Sequence, residues 1–249
     1  MKVLSGGCTV FDPGDGQLST FGNCAARTVI NRASGAKQIT QTVCLYSIGR
    51  SPAIVNPVAE EALYVAQGEG ACYVNGFSYD LRPGTGVYIP PAAEYSLENT
   101  GLEQLLIVSA CCPEDPGRHV AEKPRSAETG DPPVRAVHEQ DRKAIRAGTD
   151  REFRYLVHTD LGCRELTQFV GWIPPGKAPF HFHEYEEGVY ILEGRGIVHV
   201  EGESSGFEPG GSIYFPKGVR HCVENPGAAP IRLLGVFYPS GSPGAAYED

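Results

Sequence analysis

The chain of 249 residues is long for one small domain and suits two compact domains of roughly 100–125 residues each. Hydrophobic residues at 41% and charged residues at 20% are ordinary for a folded globular protein and exclude general disorder. A net charge of −9 argues against binding nucleic acid or an anionic membrane through a broad positive field.

The start of the chain, Met1-Lys2-Val3-Leu4-Ser5-Gly6-Gly7-Cys8, has no apolar stretch of the kind a secretion signal needs. No run of about 18 apolar residues occurs anywhere, so a membrane-spanning helix is not expected. The eight cysteines (Cys8, Cys24, Cys44, Cys72, Cys111, Cys112, Cys163, Cys222) form no CxxC pair and no disulfide framework. They are expected to be buried, reduced thiols in a cytoplasmic protein. The 31 glycines and 20 prolines favour many short strands joined by tight turns over long helices.

The first half, 1–112, carries turn residues at regular spacing through Glu61–Asn99 but no histidine. Next comes 113–150, with seven basic residues, eight acidic residues and five prolines in 38 positions. This composition predicts a solvated linker, with Val134–Ala147 as a short helix inside it.

The second half, 151–249, opens with Gln168, Phe169 and Trp172, placed to line a pocket mouth or to pack. The segment Phe180-His181-Phe182-His183 puts two imidazoles two residues apart, hence on one face of a strand. Glu187 follows four residues later. Val189–Gly194 and Gly196–Gly202 predict two strands divided by glycine, Gly210–Pro216 a third and Ile231–Tyr238 a fourth, with His221 between the last two. Short strands at about ten-residue spacing predict an antiparallel sandwich or barrel. Three neutral imidazoles and a carboxylate meeting inside it suit one divalent first-row metal, and nitrogen and oxygen donors do not choose among manganese, iron, nickel, cobalt and zinc.

The two halves are copies of one unit. Glu61–Asn99 overlays Glu187–Asn225 at a constant offset of 126, with 13 of 39 positions identical, glycines and prolines prominent among them. Tyr95 stands where His221 stands, Ile54-Val55-Asn56-Pro57 replaces the two-histidine segment, and one glutamate survives, Glu61 or its neighbour Glu60. The first copy is therefore expected to be a structural partner, or alternatively a metal-free effector pocket.

Gly176–Gly194 resembles the first conserved motif of the cupin superfamily, with Gly176 one residue closer to the first histidine than usual. Gly210–Asn225, with Pro216, Gly218, His221 and Asn225 in register, resembles the second. The resemblance covers both copies and implies an all-β bicupin of two tandem jelly-roll barrels. It places an N-terminal cupin domain over 1–112, a linker over 113–150 and a metal-bearing C-terminal cupin domain over 151–249. Carried over by position, His181, His183, Glu187 and His221 are the metal ligands, and Trp172 and Gln168 are pocket candidates. No catalytic residue beyond the ligands is assigned.

Four ligands fill four positions of an octahedron and leave two adjacent ones for a chelating substrate, or for substrate and dioxygen. The resemblance implies an enzyme acting on a small oxo- or hydroxy-acid or an enol, with dioxygenation the leading reaction. Decarboxylation, isomerisation and a non-catalytic binding role are the alternatives. The (S)-ureidoglycine aminohydrolases are bicupins of similar length, but their Glu-x-His pair and glutamine differ from His181-x-His183 and His221. A homodimer is also implied by the resemblance.

Overall fold

The structure, a computed structural model, describes residues 1–114, 117–121, 125–126, 130–148 and 151–244. Parts of the expected linker and the last five residues of the expected C-terminal domain lie outside them. The described residues form strands and a few single-turn 3-10 segments, with no α-helix among them. No helix is long and apolar enough to cross a membrane.

Each half builds two facing antiparallel sheets around an apolar interior. In the first half, Glu60–Gln67 lies at the centre of a seven-stranded sheet between Thr85–Ile89 and Leu105–Cys112, and Glu94–Asn99 and Gly70–Val74 belong to the sheet opposite. In the second half, Glu186–Glu193 lies between Ser212–Phe215 and Ile231–Tyr238 in an eight-stranded sheet, opposite His221–Asn225 and Gly196–Val200. Leu63, Val65, Tyr95 and Ile107 help fill the first barrel, and Val189, Ile191, Phe215 and Val223 the second. The four strands expected in the second half are all present among others, and Glu203–Phe207 pairs with Gly196–Val200.

Repeated residues mark repeated backbone problems. Gly68 (φ 82°) and Gly194 (φ 85°) end the central strands, and a Cβ on either would press on backbone, 2.6 Å from the Gln104 carbonyl oxygen and 3.0 Å from the Ile231 Cα. Asn99 donates to the Tyr46 and Glu103 carbonyls and accepts from the Gly101 N–H. Asn225 makes the same three bonds with Ile173, Ala229 and Gly227. These asparagines are loop clamps.

The barrels exchange edge strands. Thr9–Phe11, from the start of the chain, pairs with Ser212–Tyr214 of the second barrel. Ala136–His138, from the segment between the halves, pairs with Thr85–Val87 of the first. Each barrel thus takes an edge strand from the segment preceding the other, which covers an otherwise open row of N–H and C=O groups. The helix expected over Val134–Ala147 does not form. Ala136–His138 and Ile145–Ala147 are strands flanking a 3-10 turn at Glu139–Asp141, because pairing with two sheet edges outweighs weak helix propensity. Nor is this segment simply solvated: the Glu139 carboxylate accepts from Tyr64 Oη and from the Arg232 guanidinium.

The barrels are joined face to face. Glu60–Gln67 and Glu186–Glu193 are buried almost throughout, one face in the barrel and the other in the joint. Tyr64, Val108, Leu156, Val170, Tyr190 and Leu234, drawn from both halves, form one apolar cluster there. A reciprocal pair of carboxylates adds direction. Glu60 accepts from the Cys163 thiol at 3.0 Å, the Glu165 N–H at 2.8 Å, Tyr88 Oη at 2.8 Å and the Arg164 N–H. Glu186, at the same position of the second copy, accepts from the N–H groups of Lys37 and Gln38 at 3.1 and 3.3 Å. Glu186 is therefore part of the joint between the barrels.

Burial pushes the Glu60 carboxyl upward, but the bonds from Cys163, Glu165, Tyr88 and Arg164 outweigh it and hold its pKa below the ordinary 4.5. Its stabilisation is therefore complete above 4.5 and is lost as pH falls through the lower folded value. Glu60→Gln should cost about 1–3 kcal/mol in denaturant unfolding at pH 7, with the penalty shrinking below pH 4.5, and Glu186→Gln should cost less. Equal unfolding midpoints for Glu60→Gln and the wild type would contradict the latch.

Candidate metal centre

His181 and His221 face one another in an isolated antiparallel bridge, each N–H bonded to the other's carbonyl at 2.9 and 2.8 Å. This fixes both side chains on the same side of the barrel wall. His183, two residues on, joins them, and the ligand atoms of the three imidazoles lie within 4.8 Å of one another. Glu187 enters from the neighbouring sheet, its Oε2 3.5 Å from His183 Nε2 and 4.0 Å from His221 Nε2.

Ring orientation is set from behind. His181 Nδ1 lies 3.2 Å from the Pro179 carbonyl oxygen and His221 Nδ1 2.9 Å from that of Val219, an arrangement that leaves Nε2 for the centre. Phe215 stacks on His221 at 3.9 Å between centroids. His183 Nδ1 is buried with no hydrogen-bond partner among the described residues, and its ring is held instead by Tyr185 and Phe237.

The donor set fits a metal ion. Two metal–imidazole bonds span up to about 4.2 Å, so shifts of a few tenths of an ångström bring all three nitrogens onto one ion. The protonation states agree. Burial lowers the His181 imidazole to about 4 and that of His183 to about 3, and takes His221 well below its usual value, so all three are neutral lone-pair donors at pH 7. Burial raises the Glu187 carboxyl to about 8, against an opposing pull from Arg151. Without a cation, then, Glu187 holds its proton at pH 7, and the close Glu187–histidine approaches are not ion pairs.

The four groups open on a cavity of about 80 Å³. Its wall is mainly apolar, with Phe153, Phe169, Leu233 and Phe237 among the lining residues, and Arg151 is the one lysine or arginine on it among the described residues. Arg151 is the residue that sequence reasoning missed. The alternation Arg151-x-Phe153 on the strand Arg151–Tyr155 was a signal for it, since Phe153 faces the cavity.

Other predicted residues fall elsewhere. Trp172 borders the cavity, but its indole is held between the guanidinium groups of Arg154 and Arg232 at 5.2 and 5.9 Å, against the apolar joint. Gln168 is not on the cavity. It is wholly buried on the joint side of its strand, its Oε1 about a Cβ contact from Gly86 of the first barrel. Strand alternation explains the correction: Phe169 and Gly171 turn inward, Gln168 and Val170 toward the other barrel. Cys222 turns away and donates to the Ala178 carbonyl, and His199 pairs with Glu224 at 2.7 Å. All eight cysteines are buried, and none is in a disulfide among the described residues.

The first barrel resolves which glutamate matches Glu187. Glu61 points inward, where Tyr95 Oη and the Ser109 hydroxyl donate to it, whereas Glu60 belongs to the joint. Ile54 pairs with Tyr95 as His181 pairs with His221. Asn56, at the position of His183, is spent on Cys111 and on the N–H groups of Val58 and Ala59.

A family model described as the cupin domain matches residues 44–111 and 169–237, more than half of the chain. The chain belongs to the cupin family. With two tandem matches on two barrels, it is a bicupin. An oxalate decarboxylase structure from Bacillus subtilis superimposes with a TM-score of 0.77 at 14% identity, covering 94% of this chain and 77% of that one. Protein Ylba from E. coli superimposes at 0.74 and 16% identity, covering 95% and 93%. These likenesses are of fold. An uncharacterized protein of Methanocaldococcus jannaschii is 38% identical over 69 residues, 27% of this chain and 55% of that protein. The bicupin thus matches little more than half of that relative's length.

Because the imidazoles are already neutral and Glu187 is protonated, metal binding should displace about one proton per ion at pH 7. Calorimetric titration of Mn²⁺ or Zn²⁺ in buffers of different ionisation enthalpy measures this. The release should vanish in Glu187→Gln, and its persistence there would place the proton elsewhere.

Proposed function

We propose that this bicupin is a metal-dependent enzyme whose second barrel converts a small oxo- or hydroxy-carboxylic acid or its enol, with dioxygenation as the reaction. One observation carries the reading: three neutral imidazoles and a buried carboxylate share a small apolar cavity with a single guanidinium.

His181, His183, His221 and Glu187 would hold one divalent transition metal. When bound, that ion supplies Lewis acidity and, if iron, manganese or cobalt, a redox couple. The chain's own groups do the rest. Arg151, anchored by its Nη2 on the Val223 carbonyl at 3.3 Å, puts a positive charge on the wall that orients a substrate carboxylate toward the donors. Phe153, Phe169, Leu233 and Phe237 exclude water, which strengthens every charge interaction inside. A cavity of about 80 Å³ restricts the substrate to a few heavy atoms. Apart from the four donors and Arg151, the lining carries one further ionisable group, the exposed Glu152 carboxylate. A proton-shuttling mechanism has no buried acid or base to use there, whereas oxidation of a chelated enol needs none.

Glu152 supports the second reading, decarboxylation, since a carboxyl at the rim could deliver a proton to the carbanion left by carbon dioxide loss. The two differ in gas balance. Dioxygenation consumes oxygen in step with substrate and stops under argon, while decarboxylation continues there and fails in Glu152→Gln.

Protein purified without chelators should carry about one iron, manganese, cobalt, nickel or zinc per chain, and the His181→Ala/His183→Ala variant should carry almost none. Metal content unchanged by those substitutions would leave the second barrel a binding module and sink the enzymatic reading. Arg151→Gln should keep the metal but raise KM for a carboxylate substrate about 10- to 100-fold, the usual worth of a charge-assisted hydrogen bond.

A further inference from the structure

The first barrel lost its metal donors but kept its cavity. With the pairing of Ile54 as guide, the residues preceding Glu60 match the second barrel at an offset one residue larger than 126. Under that match Ala26 stands for Phe153, Thr42 for Phe169, Cys44 for Gly171 and Cys24 for Arg151. Cys24, Ala26, Thr42 and Cys44 all line a first-barrel cavity of about 240 Å³, the counterpart of the 80 Å³ cavity beside the histidines. Exchange of two phenyl rings for a methyl and a hydroxyl-bearing side chain accounts for the larger space.

The cation has moved as well. Arg118, just before the strand His119–Val120, lines this cavity and reaches the buried end of the barrel. Its Nη2 donates to Tyr95 Oη and lies 3.5 Å from Glu61 Oε1, so it meets the two residues that replace His221 and Glu187. A guanidinium thus balances the wholly buried Glu61. The Tyr95 contact is the single hydrogen bond Arg118 makes among the described residues, and its side chain keeps 32% exposure. The donors on Nε and Nη1 make no hydrogen bond among the described residues and are the ones a ligand would use. Ala26, Tyr46, Ile54 and Val120 give the space around it an apolar wall.

We propose that the first barrel binds a small monocarboxylate with an apolar body. The carboxylate takes the outer edge of the Arg118 guanidinium, and the body fills the space beside Ala26 and Thr42. Glu61 already shares that guanidinium and disfavours a second negative charge, so a monoanion suits the pocket better than a dicarboxylate. This binding needs no metal and does not depend on the reaction assigned to the second barrel.

The test is calorimetric titration of the full chain, stripped of metal, with benzoate and isovalerate. One carboxylate should bind per chain with a dissociation constant near 1 mM or below. Arg118→Gln should weaken it at least about tenfold, and Glu61→Gln, which frees the guanidinium, should tighten it. Ala26→Leu fills the cavity while sparing the Arg118–Glu61 contact, and should abolish binding even if Arg118→Gln fails to fold. Arg151→Gln, in the other barrel, should leave binding unchanged. Affinity that survives Ala26→Leu in folded protein, or that falls only in Arg151→Gln, overturns the proposal. So does the lack of saturable heat for both compounds up to about 20 mM.

Discussion

The architecture depends on two strands that are buried on both faces. Glu60–Gln67 and Glu186–Glu193 each present one row of side chains to a barrel interior and the other to the partner barrel. Along its buried length such a strand keeps polar side chains from water, so each one there must find a partner inside, and only the end residues Gln67 and Glu193 are exposed. The glutamates at the start of each strand show the consequence. Glu60 and Glu186 point outward and are capped by backbone N–H groups of the opposite half. Glu61 and Glu187 point inward and demand either a cation or a proton. Adjacent residues thus build the joint and the site, and neither could be shifted by one position without exchanging the roles.

The inward glutamate also frames how the two copies diverged. In the second barrel three imidazoles surround it, all neutral, and burial keeps its carboxyl protonated against the pull of Arg151. In the first barrel Arg118, Tyr95 and Ser109 satisfy the carboxylate from within the chain. The first solution makes a site that waits for an ion. The second makes a network that satisfies the carboxylate without an ion. Loss of the histidines and gain of the arginine are therefore coupled changes, because an unpaired buried carboxylate would cost several kcal/mol or remain protonated.

Much of this was legible in the sequence, for identifiable physical reasons. Gly68, Gly194, Asn99 and Asn225 serve backbone needs that few other residues meet, and so they exposed the duplication. His181 and His183 obey the two-residue period of a strand, so their spacing alone predicts a shared face. What could not be read was decided between the halves. The helix expected at Val134–Ala147 gives way to two sheet edges supplied by distant residues. Gln168 and Trp172 share a face of their strand, and only the position of the other barrel shows that this face is the joint. Glu186 repeats Glu60 in the sequence, yet its partners, Lys37 and Gln38, lie about 150 residues away.

The two arginines mark the limit of pattern reading most sharply. Arg151 and Arg118 take equivalent roles, each the guanidinium on the wall of its barrel's cavity, but they are not equivalent in the duplication. Arg151 sits on a strand whose first-barrel counterpart offers Cys24, and Arg118 comes from the segment between the halves. The cation on each cavity wall thus comes from a different part of the chain. Repetition of a charge without repetition of its position points to a demand of the cavity itself. In both barrels the wall is apolar and the inner end holds a glutamate; Arg118 lies 3.5 Å from Glu61, while the charge of Arg151 favours the ionised form of Glu187 without outweighing its burial.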